Sequence, residues 1–204
     1  MTSRVVLPGV VLGVVVLALF AAIGIGLPKA VGDSDGHGSS EPIVLPDTLP
    51  GGYTATDLEE AWASAPADQA EQASAYARNE AVARTYADKV LAETGVVAAT
   101  RSYISEDLSS PVIVQAFRAD GGAFSPLQII DASTAEAGDS VDSLVTSHGV
   151  TCIQAGTADG AGGVQASYFE CQKSADGFTI QVTSASTTIE DAVDLVESVW
   201  AEIA

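Results

Sequence analysis

Residues 5–27 form a single uncharged apolar run of 23 residues, and every acidic side chain of the chain lies after it. At about 1.5 Å of rise per residue this run spans roughly 34 Å as a helix, enough to cross a hydrocarbon core of about 30 Å. Lipid offers a backbone N–H or C=O no partner outside its own segment. The run is therefore read as a transmembrane helix, with Pro8 in its first turn and Pro28 ending it. Arg4 and the amino terminus precede it, Lys29 follows it, and the next base is Arg78. This slight basic excess puts the N-terminus in the cytoplasm and the rest outside. A cleaved signal peptide with its site at Ala30-Val31-Gly32 is the competing reading. The length of the run favours a retained anchor, because signal peptides carry an apolar region of about 7 to 15 residues. Gly9-x-x-x-Gly13 and the series Ala18, Ala22, Gly26 have the spacing that lets two membrane helices approach closely, though such residues are frequent in membrane helices in any case.

The chain carries 27 acids against eight bases, a net charge of −19, and all the acids but only six of the bases lie beyond residue 30, a net of −21 there. Such a field repels nucleic acid, phosphorylated ligands and anionic lipid head groups, and favours cations and basic surfaces. A solvated acidic surface that maintains solubility is the simpler reading of the same charge. Three regions follow: an anchor over 1–30, a Pro/Gly/Ser-rich tether over 31–52 in which Pro42, Pro46 and Pro50 break regular structure, and a domain over 53–204 large enough for one core.

Cys152 and Cys171 both fall in the part read as extracytoplasmic, where thiols oxidise. Residues 150–154 and 164–172 read as strands joined by a loop over 156–163 that contains Asp159-Gly160 and Gly162-Gly163. A hairpin centred near Ala161 sets Cys152 opposite Cys171, so a structural disulfide is expected. The C-x-x-C spacing or the extra His and Cys ligands of a redox or metal site do not occur.

Thr56-x-x-Glu59 opens an expected short helix with Leu58, Ala61, Trp62 and Ala65 on one stripe. A longer helix is expected over 66–94, ended by Gly95, with Tyr76, Ala83, Tyr86, Val90 and Leu91 inward and Arg78, Glu80, Arg84 and Asp88 on the wet side. Strands are expected over 97–104 and 112–118. Val141, Leu144 and Val145 then mark a short helix that His148 and Gly149 close. After the cysteine hairpin, Phe178, Ile180 and Val182 alternate with Thr179, Gln181 and Thr183 in the clearest strand of the chain. A last helix over 189–203, capped by Thr187 and Glu190, presents Ile189, Ala192, Val193, Val196, Trp200 and Ile203 on one stripe. This order predicts an α+β fold whose largely antiparallel sheet is covered on one face by helices.

Chemistry-bearing motifs are sparse. His37 lies in the tether, and His148 beside Ser147 and near Asp142 lacks the geometry of a catalytic triad, so a C-cap role is expected for it. Glu59-Glu60, Glu106-Asp107 and Glu190-Asp191 are chain neighbours and read as splayed on the surface. The glycines at 160–163 lack the lysine of a phosphate loop. Asp33-Ser34-Asp35-Gly36 opens like a calcium loop but meets Val44 where the bidentate Glu is required. Leu45-Pro46-Asp47-Thr48 starts like a sortase signal but continues with Leu49 and follows the membrane run.

The short basic start, the single membrane run, Leu45-Pro46-Asp47-Thr48-Leu49-Pro50-Gly51-Gly52, residues 103–108, Cys152, Cys171-Gln172-Lys173 and the closing amphipathic helix together resemble uncharacterised single-pass membrane-anchored proteins of actinobacterial type. The resemblance implies a cell-envelope location and brings no activity, so no functional residue is carried over. The expectation is a membrane-anchored extracytoplasmic interaction or scaffold domain. It is read as non-enzymatic, without catalytic, metal or cofactor residues, held to the membrane through residues 5–27 and partnered by another envelope protein rather than nucleic acid. The alternative is a domain binding a small apolar or cationic ligand, with a concave site between the sheet and the long helix. An extracytoplasmic hydrolase using His148 as its base is the third reading.

Overall fold

The computed structural model describes residues 41–122, 124, 130–185 and 188–204, so the expected anchor lies outside the described residues, as do His37 and the Asp33 loop. Among the described residues no helix is long and apolar enough to cross a membrane. Eight strands form one sheet: β1 (Thr48–Leu49), β2 (Tyr53–Ala55), β3 (Ala98–Ser105), β4 (Pro111–Phe117), β5 (Ser140–Ser147), β6 (Val150–Ala158), β7 (Val164–Ala175) and β8 (Phe178–Ala185). Their order is β1-β2-β3-β4-β8-β7-β6-β5, and each neighbouring pair is antiparallel. A 3₁₀ turn (Glu59–Trp62), α1 (Ala67–Ala70) and α2 (Ala73–Ala92) fill the β2–β3 connection, and α3 (Ile189–Ile203) closes the chain. The expected α+β class with an antiparallel sheet is what the structure has.

Alternation along the strands sorts the two faces of this sheet. Tyr103, Val112, Val114, Ile180, Val182 and the two cysteines are buried together with Ala192, Val193, Leu195, Val196 and Val199 of α3. Helix α3 thus seals one face with its apolar stripe. Its docking is also pinned where Lys173 of β7 reaches Glu197 at 2.6 Å and lies over the Trp200 ring. The helix spans the expected residues, but its cap is Thr188 with Asp191 rather than the expected Thr187 with Glu190, Thr187 lying outside the described residues. Thr188 Oγ1 accepts from the Asp191 amide, and the Asp191 carboxylate accepts from the Thr188 amide in return. Thr188→Ala should cost about 1 kcal/mol of stability, measurable as a lower denaturant midpoint at unchanged slope.

The opposite face is unusually polar. The strand registers line up Thr100, Gln115, Gln181, Gln172 and Thr151 in one row across β3, β4, β8, β7 and β6, with Gln181 Nε2 donating to Gln172 Oε1 at 2.9 Å. In the next row, Glu170 of β7 stands between Thr183 and Ile153. Burial pushes its carboxyl above the usual range. A group whose folded pKa is raised favours folding while protonated, and that contribution is lost as the pH climbs from about 4 through the raised value. Glu170→Gln should therefore raise the melting temperature at pH 7, and the gain should shrink in acid.

The segment expected as a helix near Val141 is instead strand β5. Val141, Leu144 and Val145 suit a helix face, but His148 and Gly149, both with positive φ (50° and 79°), make a two-residue hairpin turn in the left-handed region. That turn pairs β5 with β6 from Ser147↔Val150 to Ser140↔Thr157, and His148 caps no helix. The expected helix over 66–94 is interrupted at Glu71 and Gln72. The expected capped helix at Thr56 is only the 3₁₀ turn, without a side-chain cap. The tether is also shorter than expected, because Leu45 and Leu49 are buried and β1 joins the sheet.

Candidate functional site

Cys152 and Cys171 face each other in the β6–β7 register and are joined by a disulfide, both fully buried under α3. A bulge between Ala155 and Gly156 absorbs the mismatch on the way to the Gly-rich turn. Gly156 is required there, since a Cβ would collide with the backbone carbonyl of Gln165. The cross-strand placement inferred from the spacing is therefore correct. Asp159 closes the turn by accepting the amides of Ala161 and Gly163 at 2.7 and 2.8 Å, which holds its carboxyl below the usual range.

The densest polar constellation lies at the β3 edge. Arg101 of β3, 5% exposed, donates to Asp57 at 2.9 Å, pairs with Asp47 at 2.8 Å and donates to the Leu45 and Pro46 carbonyls at 2.9 and 2.8 Å. Arg84 of α2 holds the other Asp57 oxygen at 2.7 Å. Burial by itself would raise the Asp57 pKa, but the two guanidinium partners hold it below the usual carboxylate range. Asp88, one turn further along α2, accepts the Thr100 amide at 3.1 Å. The Thr56 amide donates to the Ser102 carbonyl at 2.9 Å, two residues along the same strand. Strand β2 pairs only with the end of β3, so these groups occupy backbone positions that a longer neighbour would take. Glu80 accepts from Thr56 Oγ1, and burial raises its pKa. Glu80, Arg84 and Asp88, expected on the wet side, therefore face inward. Every charge on Arg101 and Arg84 is matched by a carboxylate, so the cluster staples residues 45–57 and α2 to the sheet.

A cleft of about 560 Å³ opens beside this staple. The register sets Thr48, Thr54 and Ile104 in one row as its floor, Glu60, Ala61, Ala63 and Ser64 form one wall, and Glu106 stands at the end of β3. Ser64 Oγ donates to the Glu106 carbonyl and ties the two walls together. Asp107 turns away, accepting from Ser105 Oγ at 2.6 Å and from the Ser109 amide at 3.1 Å, which lowers its pKa and rigidifies the loop carrying Glu106. Two acidic residues in a lining otherwise of neutral residues, Tyr53 among them, suit a cationic group. The sequence reading assigned Glu60 and Glu106 to splayed surface pairs. That both line one cleft depends on the β2–β3 pairing, for which no local motif exists. The expected location between the sheet and the long helix is not where this concavity lies.

Ser147 Oγ and His148 Nδ1 lie 3.2 Å apart at the β5–β6 turn, where Ser147 is half-buried and His148 exposed. Asp191 caps its own helix. Among the described residues no group of three or more His, Cys, Asp or Glu is placed to hold a metal ion. Comparison of the chain with protein-family models, curated proteins and solved structures finds no match.

Proposed function

We propose that this chain is a membrane-anchored extracytoplasmic interaction domain, held by residues 5–27 and presenting α2 to a protein partner. The observation that carries this reading is the outer face of α2. Val82, Tyr86 and Val90, spaced i, i+4 and i+8, are 69%, 68% and 40% exposed, whereas the face toward the sheet carries Glu80, Arg84 and Asp88. An exposed aliphatic-aromatic stripe flanked by Arg78 and Lys89 is a surface fitted to a partner. The buried disulfide supports placement on the oxidising side. A photoreactive amino acid at position 86 of the full chain in cell membranes should give discrete protein adducts that the same probe at exposed Glu59 does not. Equal labelling at the two positions rejects the reading.

The cleft favours a second reading, a domain that binds a cationic group with a short apolar tail. Hexylamine is the probe. Titration should shift the amide resonances of residues 60–64 and 104–106 in the full chain, and Glu60→Gln with Glu106→Gln should remove the shift. Unmoved resonances at millimolar amine dismiss this alternative.

A further inference from the structure

We infer that the occupant of the outer α2 face is a second copy of this chain, lying antiparallel across Tyr86; this rests on the reading of α2 as the interaction face. Of the six bases beyond residue 30, Arg84, Arg101 and Lys173 are held in ion pairs. Arg78 and Lys89 make no ion pair among the described residues, and both lie exposed on the outer side of α2. Glu93, also exposed, follows the helix at its other end. In an antiparallel pair centred on Tyr86, Val82 of each copy meets Val90 of the other, and Arg78 of each copy comes beside Glu93 of the other. A parallel pair would set base against base and acid against acid. The face is thus self-complementary in the isologous sense, with the same residues serving both partners. It also carries two exposed bases, Arg78 and Lys89, so like-charge repulsion between two bodies of net −21 is reduced there. An anionic partner would find only two bases, and a cationic one would meet them head on.

The test uses the full chain in its membrane. Because the native cysteines are joined, Tyr86→Cys supplies one free thiol. Mild oxidation should give a reducible species of twice 20.7 kDa. Adding Arg78→Glu should lower its yield at least tenfold, and Arg78→Glu with Glu93→Arg should restore it. Raising the salt should increase the yield of the Tyr86→Cys chain, since screening relieves the acidic repulsion more than it weakens two rim pairs. Glu59→Cys crosslinking as well as Tyr86→Cys would assign pairing to the anchor and overturn the inference. A monomeric Tyr86→Cys chain alongside adducts of other proteins at position 86 would overturn self-pairing and leave the interaction face standing. No adducts of any kind would sink both.

Discussion

Arg101→Met is expected to lower the stability of the fold by about 3–5 kcal/mol. Arg101 is 5% exposed, and Asp57 has a side chain 12% exposed. Removing the guanidinium leaves Asp57 with Arg84 alone, the Leu45 carbonyl without its Arg101 donor, and the Pro46 carbonyl with only the Tyr103 hydroxyl at 2.8 Å. Breaking a buried pair from one side is costly because the surviving charge keeps its desolvation penalty and loses its compensation. Asp57→Asn together with Arg101→Met should be milder than the sum of the two changes, and a double-mutant cycle measured by urea unfolding reads that coupling. A cycle with no coupling would mean that the network stabilises only through its hydrogen bonds to carbonyls. The pH dependence carries the same signature. A folded pKa below the unfolded one gives stability at neutral pH that is lost as the pH falls through the carboxylate range below about 4. The parent chain should lose this contribution on acidification, and Asp57→Asn should not.

Cys152→Ala with Cys171→Ala is expected to cost about 3 kcal/mol, the loop-closure value for a separation of 19 residues. The two sulfurs lie in the core under α3, so the vacated volume adds to the loss. Reduction in the folded state should be slow because both cysteines are fully buried. Thermal unfolding with and without reductant measures both quantities, and a change below about 1 kcal/mol would mean that the hairpin register holds without the covalent link.

Much of the sheet was legible in the chain. Phe178, Ile180 and Val182 alternate strictly, and β8 is where they predict it. Strands β3 and β4 and the closing helix fall within a residue or two of expectation, because β-branched alternation and a capped amphipathic stripe are local signals. The cysteine pairing was legible for the same reason, since a short glycine-rich turn fixes the cross-strand partner. Strand β5 was not legible, because Val141, Leu144 and Val145 have helical spacing, Leu144 falls on the other strand face and is 44% exposed, and the His148-Gly149 turn settled the matter only once β6 offered a ladder. The polarity of α2 is as expected only at Arg78, which is exposed, and Leu91, which is buried; Ala83, Tyr86 and Val90 face out and Glu80, Arg84 and Asp88 face in. Its alanine-rich surface has a weak amphipathic signal, and the sheet edge beneath it demanded donors and acceptors rather than apolar cover.

The amino-acid sequence by itself determined the long apolar leader, the acidic field beyond it, the oxidisable cysteine pair and the strands whose side chains alternate. Each of these follows from neighbours along the chain. Only the tertiary structure decided that Asp57, Arg84 and Arg101 meet, that Glu60 and Glu106 share a cleft, and that Val82, Tyr86 and Val90 face outward. Those outcomes depend on which backbone groups the β3 edge leaves without a strand partner, and hence on which helix face turns inward to meet them.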